Sequence, residues 1–169
     1  RCGGRICYNK LMNKPEKNSI SHLSSYSVIV FAIALFASVV LDIFFPYKLF
    51  PEPWNQYFGV LVVGLGTYIV YWAAFHGSKF STRRKRGEVV SVDHLKNGPY
   101  SHSRNPKYIG LGILLIGLGI ILNSIFVTLS SIVSILIIHF FLLEKEESLM
   151  TSRHGSLYHE YKEKVKRWL

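Results

Sequence analysis

Four long apolar runs within 169 residues constrain this chain more than any other feature. The first extends from about Ser27 to Phe45 and stops at Pro46, and the second from about Tyr57 to Phe75. The third and fourth share roughly Ile109 to Leu143, interrupted by Asn123-Ser124. As a single helix rising about 1.5 Å per residue, that last stretch would be ~50 Å long, against a hydrocarbon core of ~30 Å. It must fold back on itself, with at least one arm shorter than a standard span. A soluble core could bury any one of these runs, but not all four. The expected fold class is therefore all-α: a polytopic membrane protein with about four transmembrane helices, the last two forming a helical hairpin, followed by a cytosolic C-terminal helix. The whole chain is expected as one domain. Its parts are an N-terminal tail over 1–26, two spans over 27–76, a basic loop over 77–108, the hairpin over 109–143 and the C-terminal helix over 144–169.

The charge distribution gives the expected orientation. The formal net charge is +10 although 49% of the residues are hydrophobic, so the basic residues must be gathered outside the spans. The N-terminal tail carries Arg1, Arg5, Lys10, Lys14 and Lys17 against Glu16 alone. The long loop carries Lys79, Arg83, Arg84, Lys85, Arg86, Lys96, Arg104 and Lys107 against Glu88 and Asp93. The opposite connections hold only Lys48 and Glu52, or no charge. By the positive-inside rule both termini and the long loop face the cytosol, and an even number of spans satisfies this. The run Arg83-Arg84-Lys85-Arg86, just beyond a span, reads as a topology signal and a contact for anionic lipid headgroups rather than a nucleic-acid patch.

Small residues recur along the spans at close to two helical turns: Gly59, Gly66 and Ala73, then Gly110 with Gly117 and Gly112 with Gly119. Such stripes let helices approach closely in lipid, where packing drives association. Gly64-Leu65-Gly66 is not a dinucleotide fingerprint, because no strand precedes it. Cys2 and Cys7 cannot complete a tetrahedral zinc site by themselves, and no metal site is expected.

The chemistry-bearing residues lie between the second and third runs and just after the fourth. Asn97-Gly98-Pro99 is turn chemistry. Asn105, preceding Pro106, is biased away from the α region, so a helix opens near Tyr108 with its free amides suited to a carboxylate. Tyr100 and Tyr108 combine a hydroxyl with a face that can stack on a purine, or else belong to an interfacial aromatic belt. Glu144, Glu146 and Glu147 follow the last apolar run; a carboxylate there can pair with a bound amine or sulfonium, or simply solvate a helix end. His139, inside the last span, is a functional candidate by location or an interhelical hydrogen bond.

These residues together resemble the isoprenylcysteine carboxyl methyltransferases and their phospholipid methyltransferase relatives. The shared pattern is a Gly-x-Tyr turn, Arg-His-Pro-x-Tyr-x-Gly opening a hairpin, then Glu-Glu-x-x-Leu and a Gly-x-x-Tyr-x-x-Tyr tail. Here they read Gly98-Pro99-Tyr100, Arg104-Asn105-Pro106-Lys107-Tyr108-Ile109-Gly110, Glu146-Glu147-Ser148-Leu149-Met150 and Gly155-Ser156-Leu157-Tyr158-His159-Glu160-Tyr161. The resemblance covers roughly Val90 to Leu169. It implies S-adenosylmethionine as cofactor, bound on the cytosolic side and covered by the C-terminal helix. The implied cofactor shell is His94, Leu95, Tyr100, Asn105, Pro106, Lys107, Tyr108 and Glu146. Two positions depart from the pattern: Asn105 replaces the usual His, and Leu142 stands where similar prenylcysteine enzymes place a substrate-binding arginine.

Methyl transfer from a sulfonium needs alignment and exclusion of water rather than a nucleophilic dyad. A carboxylate acceptor needs no base, whereas an amine must lose a proton, for which Glu147 is the candidate catalytic residue. Arg104 would orient an anionic headgroup or pair with the acidic cluster. The expected activity is methyl transfer to a lipid or lipidated acceptor, of isoprenylcysteine carboxylate or phospholipid amine type, at the cytosolic membrane face. A sterol-reductase-like NADPH enzyme and a non-enzymatic membrane scaffold are the competing readings.

Overall fold

The computed structural model describes residues 15–85 and 96–168, and every element among them is helical. His94 and Leu95, and likewise Cys2, Cys7 and Arg86, lie outside the described residues. Helix α1 spans Pro15–Phe44 and α2 spans Trp54–Lys85. A 3-10 turn over Gly98–Ser101 leads to α3, Pro106–Ile121, and α4, Ile125–Ile137. A π turn over Ile138–Leu142 carries α4 directly into α5, Leu143–His154, and α6 is Ser156–Lys164.

Two boundaries differ from the sequence expectation. Helix α1 begins at Pro15, inside the polar segment read as a tail, and α2 runs on to Lys85, well into the segment read as a loop. Hydropathy marks where apolar residues end. A helix ends only where its hydrogen-bond ladder does; neither extension contains an internal proline, and the single glycine, Gly77 of α2, is tolerated within the helix.

Among the described residues, three helical stretches are long and apolar enough to cross a membrane: Tyr26–Phe44, Trp54–Lys79 and Ile125–Ser152. Helix α3, Pro106–Ile121, is a shorter apolar helix. The distribution of side chains is inverted relative to a soluble protein. Phe36, Ile43, Phe44, Tyr57, Leu61, Phe140 and Phe141 point outward, whereas Ser27, Ser38, Ser131 and Ser134 are buried. An apolar exterior of that extent is untenable in water and natural in lipid. Three of these hydroxyls return to carbonyls of their own helices, Ser38 Oγ to Leu35 O at 2.8 Å, Ser131 Oγ to Thr128 O at 2.9 Å and Ser134 Oγ to Ser130 O at 2.7 Å, so the interior carries no unmet hydroxyl from these three.

Glycine sets how closely the helices approach. A Cβ on Gly66 of α2 would lie 2.5 Å from the backbone nitrogen of Leu114, and one on Gly117 of α3 would lie 2.6 Å from that of Val63. Helix α3 therefore meets α2 backbone to backbone along the Gly110–Gly117 stripe. Its other stripe, Gly112 and Gly119, faces Ile135 and Thr128 of α4, so α3 and α4 run antiparallel. Two short-side-chain faces on one helix let it sit between two neighbours.

The α3–α4 connection is a small polar lock. Asn123 takes φ 54°, a left-handed conformation that asparagine tolerates better than most residues. Its Oδ1 accepts from Leu49 N and Phe50 N, both at 2.8 Å, and its Nδ2 donates to Phe50 O at 2.9 Å. Ser124 caps α4 by accepting from Val127 N at 3.3 Å. This turn thus holds the α1–α2 connection at one end of the bundle. The 3-10 turn, the start of α3 and the acidic residues of α5 gather at the other.

Candidate active site

The site grows from the way α3 begins. Asn105, at φ −130° and ψ 48°, precedes Pro106 at the first helical position, where the missing N–H costs nothing. That start buries Tyr108 against Phe31, Leu115, Ile138 and Leu143. From there the phenol of Tyr108 donates to Glu146 Oε1 at 2.6 Å. Ser27 of α1 also hydrogen-bonds Tyr108. One tyrosine thus joins the two sequence motifs and ties both to α1. The π turn just before α5 adds a residue to the helical repeat and sets the rotational phase at which Glu146 leaves the bundle.

Beside this pair lies a charge cluster. Glu147 is buried, and Arg167 grips it with Nε to Oε1 at 3.1 Å and Nη2 to Oε2 at 3.0 Å. Arg104 Nη1 is 3.4 Å from Oε1, and Lys162 Nζ is 3.6 Å from Oε2. Both oxygens of Glu147 are therefore committed to cations. Its hydrogen bonds raise the Arg167 pKa further above the ordinary guanidinium value. By contrast, Arg104 Nε and Nη1 are buried without a hydrogen-bond partner among the described residues.

The chain's last residues form a strap over the start of α3. Arg104 N donates to Lys166 O at 3.0 Å. Ser103 Oγ and Asn105 Nδ2 both donate to Arg167 O, at 3.2 Å each. Trp168 Nε1 donates to His139 Nδ1 at 3.2 Å, which gives His139 a role in holding this strap. Asn105 thus uses its amide where the related pattern has an imidazole. Helix α6 is fixed separately: Tyr161 Oη donates to Tyr100 O at 2.7 Å, and Tyr158, Tyr161 and Val165 pack together. Burial pushes the phenol pKa of Tyr100 up, with Glu146 adding to the effect. Burial likewise raises Tyr161, helped by Tyr158 and Tyr100, so both phenols stay neutral donors at physiological pH.

Of the residues expected from sequence, Tyr100, Asn105, Pro106, Lys107, Tyr108, Glu146 and Glu147 fall within this one end of the bundle. Ser103, Arg167 and Trp168 were missed. The only sequence signal for the last two is a basic-aromatic cluster at the chain's end, which is indistinguishable from an ordinary solvated tail. No group of His, Cys, Asp and Glu suited to a metal ion occurs among the described residues.

Apolar helices with outward-facing apolar side chains and a polar cluster at one end define an integral membrane protein. Residues 54–156 match the family described as phospholipid methyltransferase. A stretch of 62 residues is 36% identical to an uncharacterized protein of Haemophilus influenzae, covering 37% of this chain and 98% of that protein. No solved structure matches the chain. The chain belongs to the phospholipid methyltransferase family, and it is accordingly a membrane methyltransferase.

Proposed function

We propose that the protein transfers a methyl group from S-adenosylmethionine to a lipid or lipidated acceptor at the cytosolic membrane face. The observation that carries this reading is the 2.6 Å bond from Tyr108 to Glu146, which brings the two family motifs into one site. The donor set suits the cofactor. Arg104 offers buried donors without a hydrogen-bond partner among the described residues, complementary to a carboxylate, and Glu146 offers negative charge to an amine or sulfonium. When bound, S-adenosylmethionine supplies a methyl group already activated on a positively charged sulfur.

The chain's own residues then have separable tasks. Tyr108 fixes the rotamer of Glu146, so the carboxylate is presented without reorganisation. Asn105, Pro106 and Lys107 form the helix start beside it, where the partial positive charge of the α3 N-terminus favours an anion. Tyr100 stays protonated and offers a hydroxyl and a ring face. Glu147 holds Arg104 and Arg167 in place; the pairing of both its oxygens favours this positioning role over the proton-accepting one expected from sequence. The resemblance assigns His94 and Leu95 to the same shell, and they lie outside the described residues. The strap of Lys166 to Trp168 keeps water from the start of α3.

In the same proposal the membrane is crossed four times. Helix α3, at about 1.5 Å per residue, reaches only ~24 Å of a ~30 Å core. Its two glycine stripes enclose it between α2 and α4, so it need not face lipid over its full length. Both termini then lie with the basic segments on the cytosolic side. Incubating membranes with methyl-labelled S-adenosylmethionine tests the function. Label in an extractable lipid or lipidated peptide supports it, and its absence with active, folded protein sinks it.

A further inference from the structure

Resting on the methyltransferase reading, a residue outside both family motifs acquires a chemical role. His76 lies on α2 where that helix meets the 3-10 turn. Its Nδ1 is 3.0 Å from the carbonyl oxygen of Trp72. A carbonyl only accepts, so Nδ1 carries the proton, and Nε2 is left with a lone pair and no hydrogen-bond partner among the described residues. The ring is held on three sides. Trp72 and Phe75 meet it edge-on, with centroids at 6.0 Å and 5.5 Å. On the third side is Gly98, at φ +63°, where any Cβ would come within 2.6 Å of His76 Cδ2 and 2.8 Å of Nε2. Glycine at this turn therefore makes room for the imidazole. Tyr100 joins the same junction, since its hydroxyl oxygen would be 3.2 Å from a Cβ on Gly77. Glu146 contributes electrostatically to Tyr100, so the junction borders the site.

The lipid side of this junction is suited to an ammonium. Tyr68, Tyr71 and Phe75 are exposed along α2, forming an aromatic face that ends at His76. Lys79 already places Nζ 4.1 Å from the Phe75 ring centroid, which shows that this surface holds a positively charged nitrogen. An amine acceptor arrives protonated and has no lone pair until it loses a proton. Among the described residues, Lys79 of the same helix sits over Phe75, the imidazole's neighbour, and Tyr100 of the 3-10 turn lies against Gly77, where burial keeps it neutral. With Glu147 committed to its cations, the imidazole is, among the described residues of this junction, a base whose Nε2 has no hydrogen-bond partner.

We propose that His76 Nε2 accepts the proton of a lipid amine acceptor. The ammonium N–H bond breaks, its electron pair remains on nitrogen as the nucleophilic lone pair, and a new N–H bond forms on Nε2. The imidazolium then returns the proton to water as the methylated lipid leaves.

The test uses the full chain in lipid nanodiscs containing phosphatidylethanolamine, comparing wild type with His76→Ala and His76→Gln. Nitrogen-15 spectra of the free wild type should show Nδ1 protonated and Nε2 bare. Both variants should bind S-adenosylmethionine with wild-type affinity, which separates this role from a loss of fold. Methylation should fall by about a hundredfold or more, and added imidazole should restore roughly tenfold of it in His76→Ala. Turnover within about threefold of wild type, or a loss that imidazole does not relieve, overturns the proposal. A wild type that binds the cofactor but methylates only carboxylates overturns it while leaving the methyltransferase reading intact. No cofactor binding by the wild type removes both.

Discussion

Replacing Glu147 by Gln keeps the side chain's shape and removes its charge. In the structure this carboxylate faces Arg104, Arg167 and Lys162, whose side chains are 11%, 33% and 38% exposed against 5% for Glu147 itself. The pair with Arg104 is thus almost fully enclosed, and the neutral amide leaves that guanidinium uncompensated beside a second one. Removing one partner of such a pair costs about 3–5 kcal/mol. The more exposed Lys162 contributes about 0–1 kcal/mol, so Lys162→Ala should be nearly silent. For a chain of this size a loss of about 3–5 kcal/mol lowers the melting temperature by roughly 6–20 °C. Thermal unfolding in detergent micelles, followed by helical circular dichroism, measures it. Limited proteolysis should find the strap at Lys166 to Trp168 released in parallel, because Arg167 anchors it. The reasoning is refuted if Glu147→Gln melts within about 2 °C of wild type, or if Lys162→Ala costs as much. A variant that melts normally but no longer turns over would make Glu147 the proton acceptor after all.

Other outcomes follow from local geometry. Gly66→Ala places a methyl 2.5 Å from Leu114 N, a backbone atom that cannot swing away, so it should destabilise by about 1–3 kcal/mol. Gly64→Ala, with nothing within 4 Å, should leave the melting curve unchanged in the same assay. Tyr158 is pushed up to about 12 by burial and then by Glu147. A raised phenol pKa means stability fully present below the unfolded value of about 10 and lost as pH rises from there through about 12; a tyrosinate-monitored titration should show a late phenol in the folded protein.

The apolar runs made the helices legible, and the glycine spacing made their contact faces legible, because both are periodic properties of one segment. Gly66 and Gly117 meet α3 and α2 as their stripes suggested. Helix ends were less legible: the mostly polar residues at 15–26 and after Phe75 carry little apolar signal, yet no proline interrupts either helix there. Within the site, Tyr108 and Glu146 could be read because they stand in motifs, but their direct bond could not, since it depends on the π turn before α5. The strap was illegible for a related reason. Arg167 makes two hydrogen bonds through its guanidinium, to Glu147, and two through its own backbone carbonyl, to Ser103 and Asn105, and a carbonyl is the same at every position of a sequence.

The claim that Glu146, oriented by Tyr108, helps hold S-adenosylmethionine is tested most directly by calorimetry on the purified protein. Wild type should bind the cofactor, and Glu146→Ala should bind it about tenfold more weakly or worse, a loss of at least ~1.4 kcal/mol. Equal affinity in the two proteins would contradict the assignment of Glu146, and absence of binding in the wild type would contradict the function itself.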